Sequence, residues 1–431
     1  MNSWQGAAGQ NPVRLNEGIT RGNLRALYGL SFITMALLAF ITLNLDFVLR
    51  TFLQIPLAEQ GRVAGRLQAG RELVVLFAIS FGGILSDTLG RRPVFIGGYA
   101  ILATAFLAFP FAKSEAAFLP AFLLAGVGAA FLTAMLQIVL ADYVKNEDRG
   151  RAAGIQGVMV GLAIFIVFPL KLLPQKLAER GFDIATAGMI CYGMVAAMAV
   201  VAAVAAFLFL ARTTVSREVK PPFATLLRQG VLAAKDPGIA LSYLAAFVSR
   251  GDLAVVGTFL TLWVSRAAAQ AGLDAAQSGA AAGGILLVGG IAQLVSAPFL
   301  GRITDRLDRF QALALAAMIA VAGYGGALLI SDPLGPGLKA LMILIGVAQI
   351  AGVITSQVLV AERAPEDRRG SVIGFFGLCG AFAIMSISYV GGRLFDSWRE
   401  AGPFALVAVL NLGLAAAAFW VRKLLADRAA R

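Results

Sequence analysis

Asp46 and Arg50 stand four residues apart in one long apolar run, Arg250 and Asp252 stand two apart in another, and Asn44 precedes the first pair. A charge at the centre of a membrane helix costs roughly 2.5 to 3.5 kcal/mol on insertion scales, so four together are expensive to keep for packing alone. Their chemistry is that of fixed charges in a low dielectric. Arginines attract an anion; a carboxylate takes up a proton when desolvated and gives it up when a cation approaches. Residues four apart share a face of an α-helix, so Asp46 and Arg50 are expected to pair. Arg250 and Asp252 are expected to diverge, each towards another helix or a water-filled cavity. A purely structural charge network at the outer helix ends is the competing reading. The sequence contains no histidine, so carboxylates must carry any protons and a histidine metal site is excluded. Glu72, beside Arg71 at the outer start of a further apolar run, is a weaker proton candidate, since a loop-edge charge pair accounts for it equally. Gln137 and Gln357 either line a cavity or hydrogen-bond between helices.

These residues must be positioned by membrane helices. With 431 residues, 59% of them hydrophobic and 14% charged, the chain has too much apolar surface for one soluble core. A bilayer demands about 20 apolar residues per helix. Twelve runs qualify: 26–56, 67–88, 93–113, 116–141, 152–174, 184–211, 238–265, 277–300, 309–331, 338–361, 371–395 and 403–424. The first is too long for a signal-peptide core and has no small-residue cleavage site behind it, so it is expected to remain. The stretch from Thr213 to Pro237, with Pro221 and Pro222, reads as a linker. The expected organisation is a polar segment 1–25, a six-helix half 26–211, a linker 212–237, a second half 238–424 and a tail 425–431. The net charge of +12 lies in short segments between the runs, which fits membrane topology and not nucleic acid. In the twelve-helix reading 23 Lys and Arg residues fall on one side and 11 on the other, which makes both termini cytoplasmic by the positive-inside rule. Cys191 and Cys379 both lie inside apolar runs, so no structural disulfide is expected.

Between the second and third runs, Gly83, Ser86, Asp87, Gly90, Arg91, Arg92 and Pro93 make a short polar turn. A second copy lies 218 positions on, where Gly301, Asp305, Leu307 and Arg309 match Gly83, Asp87, Leu89 and Arg91, with Asp308 in place of Gly90. Gln137 to Asp142 align with Gln357 to Glu362 at a shift of 220, and Arg149, Gly150, Gly154 and Gly157 align with Arg369, Gly370, Gly374 and Gly377 at the same shift. Two blocks agreeing on polar positions indicate a duplicated architecture. On these residues the chain resembles the major facilitator superfamily, whose loop between helices 2 and 3 reads G-x-L-[SA]-D-x-x-G-R-[RK]. The resemblance implies two six-helix halves around a central cavity, with glycine faces of helices 2, 5, 8 and 11 in contact between halves. It also implies that Asp87 lies at the N-terminus of helix 11 and that Arg91 pairs with Asp142. Asp305, Arg309 and Glu362 would be the mirror set, near Arg151 to Gly154.

No Gly-Lys-[Ser/Thr] sequence is present, so a phosphate-cradling loop is missing and transport must draw on a gradient. No enzyme activity and no cofactor are expected. The reading is a monomeric carrier in a bacterial inner membrane, surrounded by lipid, moving a small organic solute by alternating access with proton coupling. An organic anion is the leading substrate, because Arg50 and Arg250 offer positive charge near the cavity. Efflux of multiple drugs or amphiphiles is the alternative, with Asp46 and Asp252 recognising cations. Helix 5 lacks the Gly-Pro-x-x-Gly-Gly stretch of the resembled drug/proton antiporters, which weakens it. A carrier fold turned sensor or assembly factor is a third reading; it would need no coupled acid and could lose the signature loop.

Overall fold

With no water in the hydrocarbon, a crossing segment must bond its own backbone, and a helix does so within itself. The computed structural model describes residues 13–145, 148–212, 223–273, 275–365 and 368–429. Among them, twelve helices are long and apolar enough to cross a membrane. In the first half these are α1 (Arg21–Leu43), α2 (Leu57–Leu89), α3 (Arg91–Phe111), α4 (Glu115–Tyr143), α5 (Arg151–Ala178) and α6 (Ile184–Phe209). In the second they are α7 (Pro237–Gln270), α8 (Gln277–Gly301), α9 (Arg309–Leu329), α10 (Pro336–Arg363), α11 (Gly370–Ser397) and α12 (Gly402–Arg428). A shorter linker helix, Phe223–Ala233, precedes α7. The protein is thus an all-helical, multi-pass membrane protein. Twelve crossings put the linker and both ends of the described chain on one side, the linker face, opposite the far face. Of the expected terminal and linker segments, residues 1–12, 213–222 and 430–431 lie outside the described residues.

Helix ends follow from local chemistry. Thr20 and Asn23 form a capping box at α1, and Asp236 accepts from Ile239 N with Pro237 in the first turn of α7. Gly90 turns between α2 and α3 at φ +92°, a conformation that a side chain would strain. The second copy solves the same turn differently: Asp308, at φ −57°, caps α9 by accepting from Gln311 N. The correction that matters for the charges is α2, which starts at Leu57 and not at 67, so that Glu72 lies well inside the helix.

Two crossings leave the α-helical path at matching places. After Asn44 the first continues through Leu45–Phe47 into a π-helical turn at Val48–Phe52, and α7 contains a π-helical turn at Val255–Leu260. Thr51-Phe52-Leu53 in the first and Thr258-Phe259-Leu260 in the second occupy these turns or their ends.

The halves meet near the far face and part near the linker face. At the far end, α2 and α11 approach so closely that a Cβ on Gly65 would collide with the Ser388 carbonyl and one on Gly392 with the Gly61 carbonyl. The far half of α5 packs on α8, where a Cβ on Gly283 would meet Phe168 at 2.9 Å. Towards the linker face, Gly154, Gly157, Gly374 and Gly377 have no cross-half neighbour within 4 Å among the described residues. The glycine faces expected to join the halves therefore do so at one end only, leaving a cleft at the other. Beside that cleft, the segment before α1 is strapped to the loop after α4. Leu15 and Val144 form an isolated antiparallel bridge, Asn16 Nδ2 donates to the Asp142 carbonyl at 2.9 Å, and Arg14 donates to Asp148 at 2.8 Å.

Candidate functional site

The cleft leads into a cavity of about 510 Å³ between the halves, walled by α1, α2 and α4 on one side and α7 and α11 on the other. Its lining is mostly apolar or glycine, with three charges: Arg71, Glu72 and Arg250. Each arginine is seated where a neighbouring helix lacks a side chain. A Cβ on Gly126 of α4 would lie 2.9 Å from Arg71 Cγ, and one on Gly380 of α11 would lie 2.7 Å from Arg250 Cγ. Arg71 Nη1 donates to Thr42 Oγ1 at 3.3 Å, its guanidinium lies 5.5 Å from the Phe122 ring centre, and its buried Nε makes no hydrogen bond among the described residues. Glu72 is only 8% exposed and lies within electrostatic reach of both Arg71 and Arg250. The site can therefore hold an anion by charge-assisted hydrogen bonds, with a carboxylate competing for the same two cations.

The other expected charges are placed elsewhere. Asp46 does not pair with Arg50. Its carboxylate takes Lys171 Nζ of α5 at 3.0 Å and Ser265 Oγ of α7 at 2.7 Å, and Lys171 also donates to the Leu43 carbonyl. The spacing argument assumed an α-helix; the π turn from Val48 rotates Arg50 off the Asp46 face. Arg50 donates instead to Ser278 Oγ at 2.6 Å and to the Leu273 carbonyl at 3.0 Å, so it leaves the cavity and reaches the start of α8. Asn44 is buried at the end of α1. Asp252 diverges from Arg250 into the interior of the second half, where Oδ1 accepts from Asn411 Nδ2 at 3.0 Å and its backbone carbonyl accepts from Gln349 Nε2 at 3.2 Å. Gln137 and Gln357 are exposed at equivalent places on α4 and α10, outside the cavity lining.

Two charged clusters flank the cavity. At the linker face Arg91 binds Asp142 at 3.0 Å and Asp87 at 2.5 Å, while Arg92 stacks over Phe207 at 4.5 Å. The mirror pair, Arg309 with Glu362, is 2.6 Å long. Gly83 and Gly301 have open space where a Cβ would be, and the side chain of Asp305 lies outside the described residues. At the far face a second cluster centres on Asp396 of α11, whose carboxylate caps the start of α2 by accepting from Gly61 N at 3.2 Å and Arg62 N at 2.6 Å. Arg266 of α7 binds the same carboxylate at 2.8 Å, reaches Glu400 at 3.3 Å and lies 4.5 Å over Phe395. Gln68 of α2 donates to Thr258 in the α7 π turn at 3.1 Å. These contacts tie the halves together at the far end.

Sequence reasoning counted Arg71, Lys171 and Arg266 only among the far-side charges, with Arg71 as a neighbour of Glu72, and passed over Asp396. Lys171 carried a readable signal, standing alone in an apolar run from Phe165 to Pro174. Arg71 was lost with the misplaced start of α2.

A profile of the Major Facilitator Superfamily matches residues 27–388. The magnetosome protein MamH of Paramagnetospirillum magneticum is 24% identical over 407 residues, covering 92% of each chain. MamZ of the same organism is 23% identical over 90% of this chain, which spans 61% of MamZ. Citrate exporter 1 of Aspergillus niger is 36% identical over 93 residues, 21% of this chain and 18% of that one. Among solved structures, the nucleoside transporter NupG superposes with a TM-score of 0.73 over 93% of this chain and 99% of its own at 14% identity. A bacterial homologue of the human lysosomal transporter Spinster, inward-facing and unoccupied, gives 0.66 over 93% and 96% at 13% identity. With two glycine-lined halves, paired arginine–carboxylate loops at one face and a family match over most of its length, the chain belongs to the Major Facilitator Superfamily.

Proposed function

We propose that the protein carries a small organic anion across a bacterial inner membrane by alternating access, with Glu72 as the proton-coupling acid and the linker face towards the cytoplasm. The observation that carries this reading is the set of charges in the shared cavity, two guanidiniums and one carboxylate. While Glu72 is ionised it competes with an anion for Arg71 and Arg250; once protonated it leaves both cations to the substrate. Proton and anion then strengthen each other's binding, and by linkage the coupling is equal in both directions. The two travel together, and the emptied carrier returns with Glu72 paired to the arginines. The 93-residue similarity to a citrate exporter, a protein named for an organic anion, supports the substrate class.

Asp46 and Asp252, the acids that a cation-efflux reading would need, both sit outside the cavity, and Asp46 is neutralised by Lys171. The deciding experiment uses purified protein in vesicles with a panel of radiolabelled carboxylates, from di- and tricarboxylates to long-chain monocarboxylates, with and without a pH gradient. Gradient-driven accumulation that Glu72→Gln abolishes, with anion exchange retained, is the expected result. No transport of any anion or cation under either condition would favour a sensor or assembly role.

A further inference from the structure

We infer that the substrate is a single-chain amphiphilic anion, its head between Arg71 and Arg250 and its alkyl tail in a second pocket that adjoins the cavity. This rests on the anion reading above and narrows it. The second pocket, about 900 Å³, shares Leu76, Leu227, Phe375 and Leu378 with the charged cavity, so the two spaces adjoin across these four side chains. Beyond that shared wall it is almost wholly apolar, with Phe77, Phe247 and Phe382 completing it. Its one hydroxyl, on Tyr243, is already donated to the Gly230 carbonyl at 2.9 Å, so the tyrosine offers only its ring. A hydrophilic anion gains nothing from such a space. An alkyl chain gains roughly fourfold in affinity per buried methylene.

The pocket also shows how such a molecule would arrive. Leu73, Phe77, Phe81 and Ile84 are exposed at spacings of four, four and three residues, which marks one outward apolar face of α2. Phe77, 69% exposed, belongs both to that face and to the pocket, and Phe382 on α11 is 55% exposed beside it. The pocket therefore lies between the outward apolar face and the charged cavity, with only the four shared side chains to move aside. A tail already dissolved in the bilayer could slide in sideways between α2 and α11 while its head moved onto the arginines. The linker helix closes the route from below: Gly230 packs on Phe375, and Gln229 accepts from Ser371 Oγ at 2.7 Å.

The chain supplies its own reporter, because Cys379 lines this pocket whereas Cys191 is buried and donates to the Leu170 carbonyl. The test is the rate of maleimide alkylation of Cys379 in reconstituted protein, with Cys191 replaced by alanine. Decanoate should protect saturably, and shortening the chain to octanoate should weaken protection about tenfold or more. Decanol and decyltrimethylammonium should fail to protect, and Arg250→Gln should raise the half-protecting decanoate concentration at least tenfold, with partial rescue by Arg250→Lys. Equal protection by decanol would mean that the pocket merely holds bilayer hydrocarbon, and the inference would be wrong. If succinate binds in an Arg250-dependent way but decanoate binds no better, the anion reading stands and the amphiphile inference falls. If no anion depends on Arg250, both fall.

Discussion

Lys171 and Asp46 are both 2% exposed at their side chains, and an ion pair so placed is tolerated only while both members are present. Removing one partner of a buried pair costs about 3 to 5 kcal/mol, whereas replacing both with apolar residues is often neutral. Asp46→Asn should therefore lower the thermal unfolding temperature in detergent markedly, and the double change Asp46→Leu with Lys171→Met should restore most of it. An Asp46→Asn protein of normal stability that no longer accumulates substrate would return Asp46 to the coupling role. Arg250 depends on the absence of a side chain at Gly380. Gly380→Leu should weaken anion binding by about tenfold to a hundredfold, the worth of roughly 1.5 to 3 kcal/mol for a hydrogen bond to a charged group, with the helices intact by circular dichroism. At this scale the sequence was half legible. It showed that charges were buried, because charge in an apolar run is visible in one dimension. It misassigned the partner of Asp46, because Lys171 is 125 residues away and the π turn undid the spacing rule.

Among elements, the far ends of α2 and α11 are held together by the Asp396 carboxylate, the contact expected to act as a latch. A carboxylate at a helix N-terminus is worth about 0.3 to 2 kcal/mol depending on burial, enough to bias an equilibrium without locking it. Asp396→Asn keeps the size and loses the charge, so it should shift the population towards far-face opening by up to about thirtyfold. Spin labels at Lys113 and Lys339, exposed on the far side of opposite halves, would report this as a longer distance. An unchanged distance distribution would remove Asp396 from gating. At the linker face, Asp87→Asn should insert and bind normally but turn over slowly; normal turnover would mean that the loop plays no part in the cycle. The signature loop was readable because its glycines and charges occur in a short contiguous span. The latch was not, because Asp396 reads as one more helix-end acid until α2 is brought against it.

For the molecule as a whole, the twelve crossings and the repeat were legible, since hydropathy and duplicated polar positions survive without coordinates. Which end is closed was not, because both ends carry arginine–carboxylate clusters and only packing separates them. The orientation is testable: reporters fused after Arg431 and near Val215 should be cytoplasmic, and one near Ser114 should be outside. A Val215 reporter found outside would overturn the six-helix count of the first half. The strap that joins Leu15 to Val144 has a practical side. Arg14 holds the Asp148 carboxyl below the ordinary aspartate range, so this tie is intact at neutral pH and loosens only as acid protonates Asp148. The strap also grips the backbone of Asp142, the residue that holds Arg91. A purification tag or fluorescent protein fused close to Val13 would therefore sit next to the strap that braces the signature loop, and N-terminal tagging should be checked for an effect on turnover before it is used.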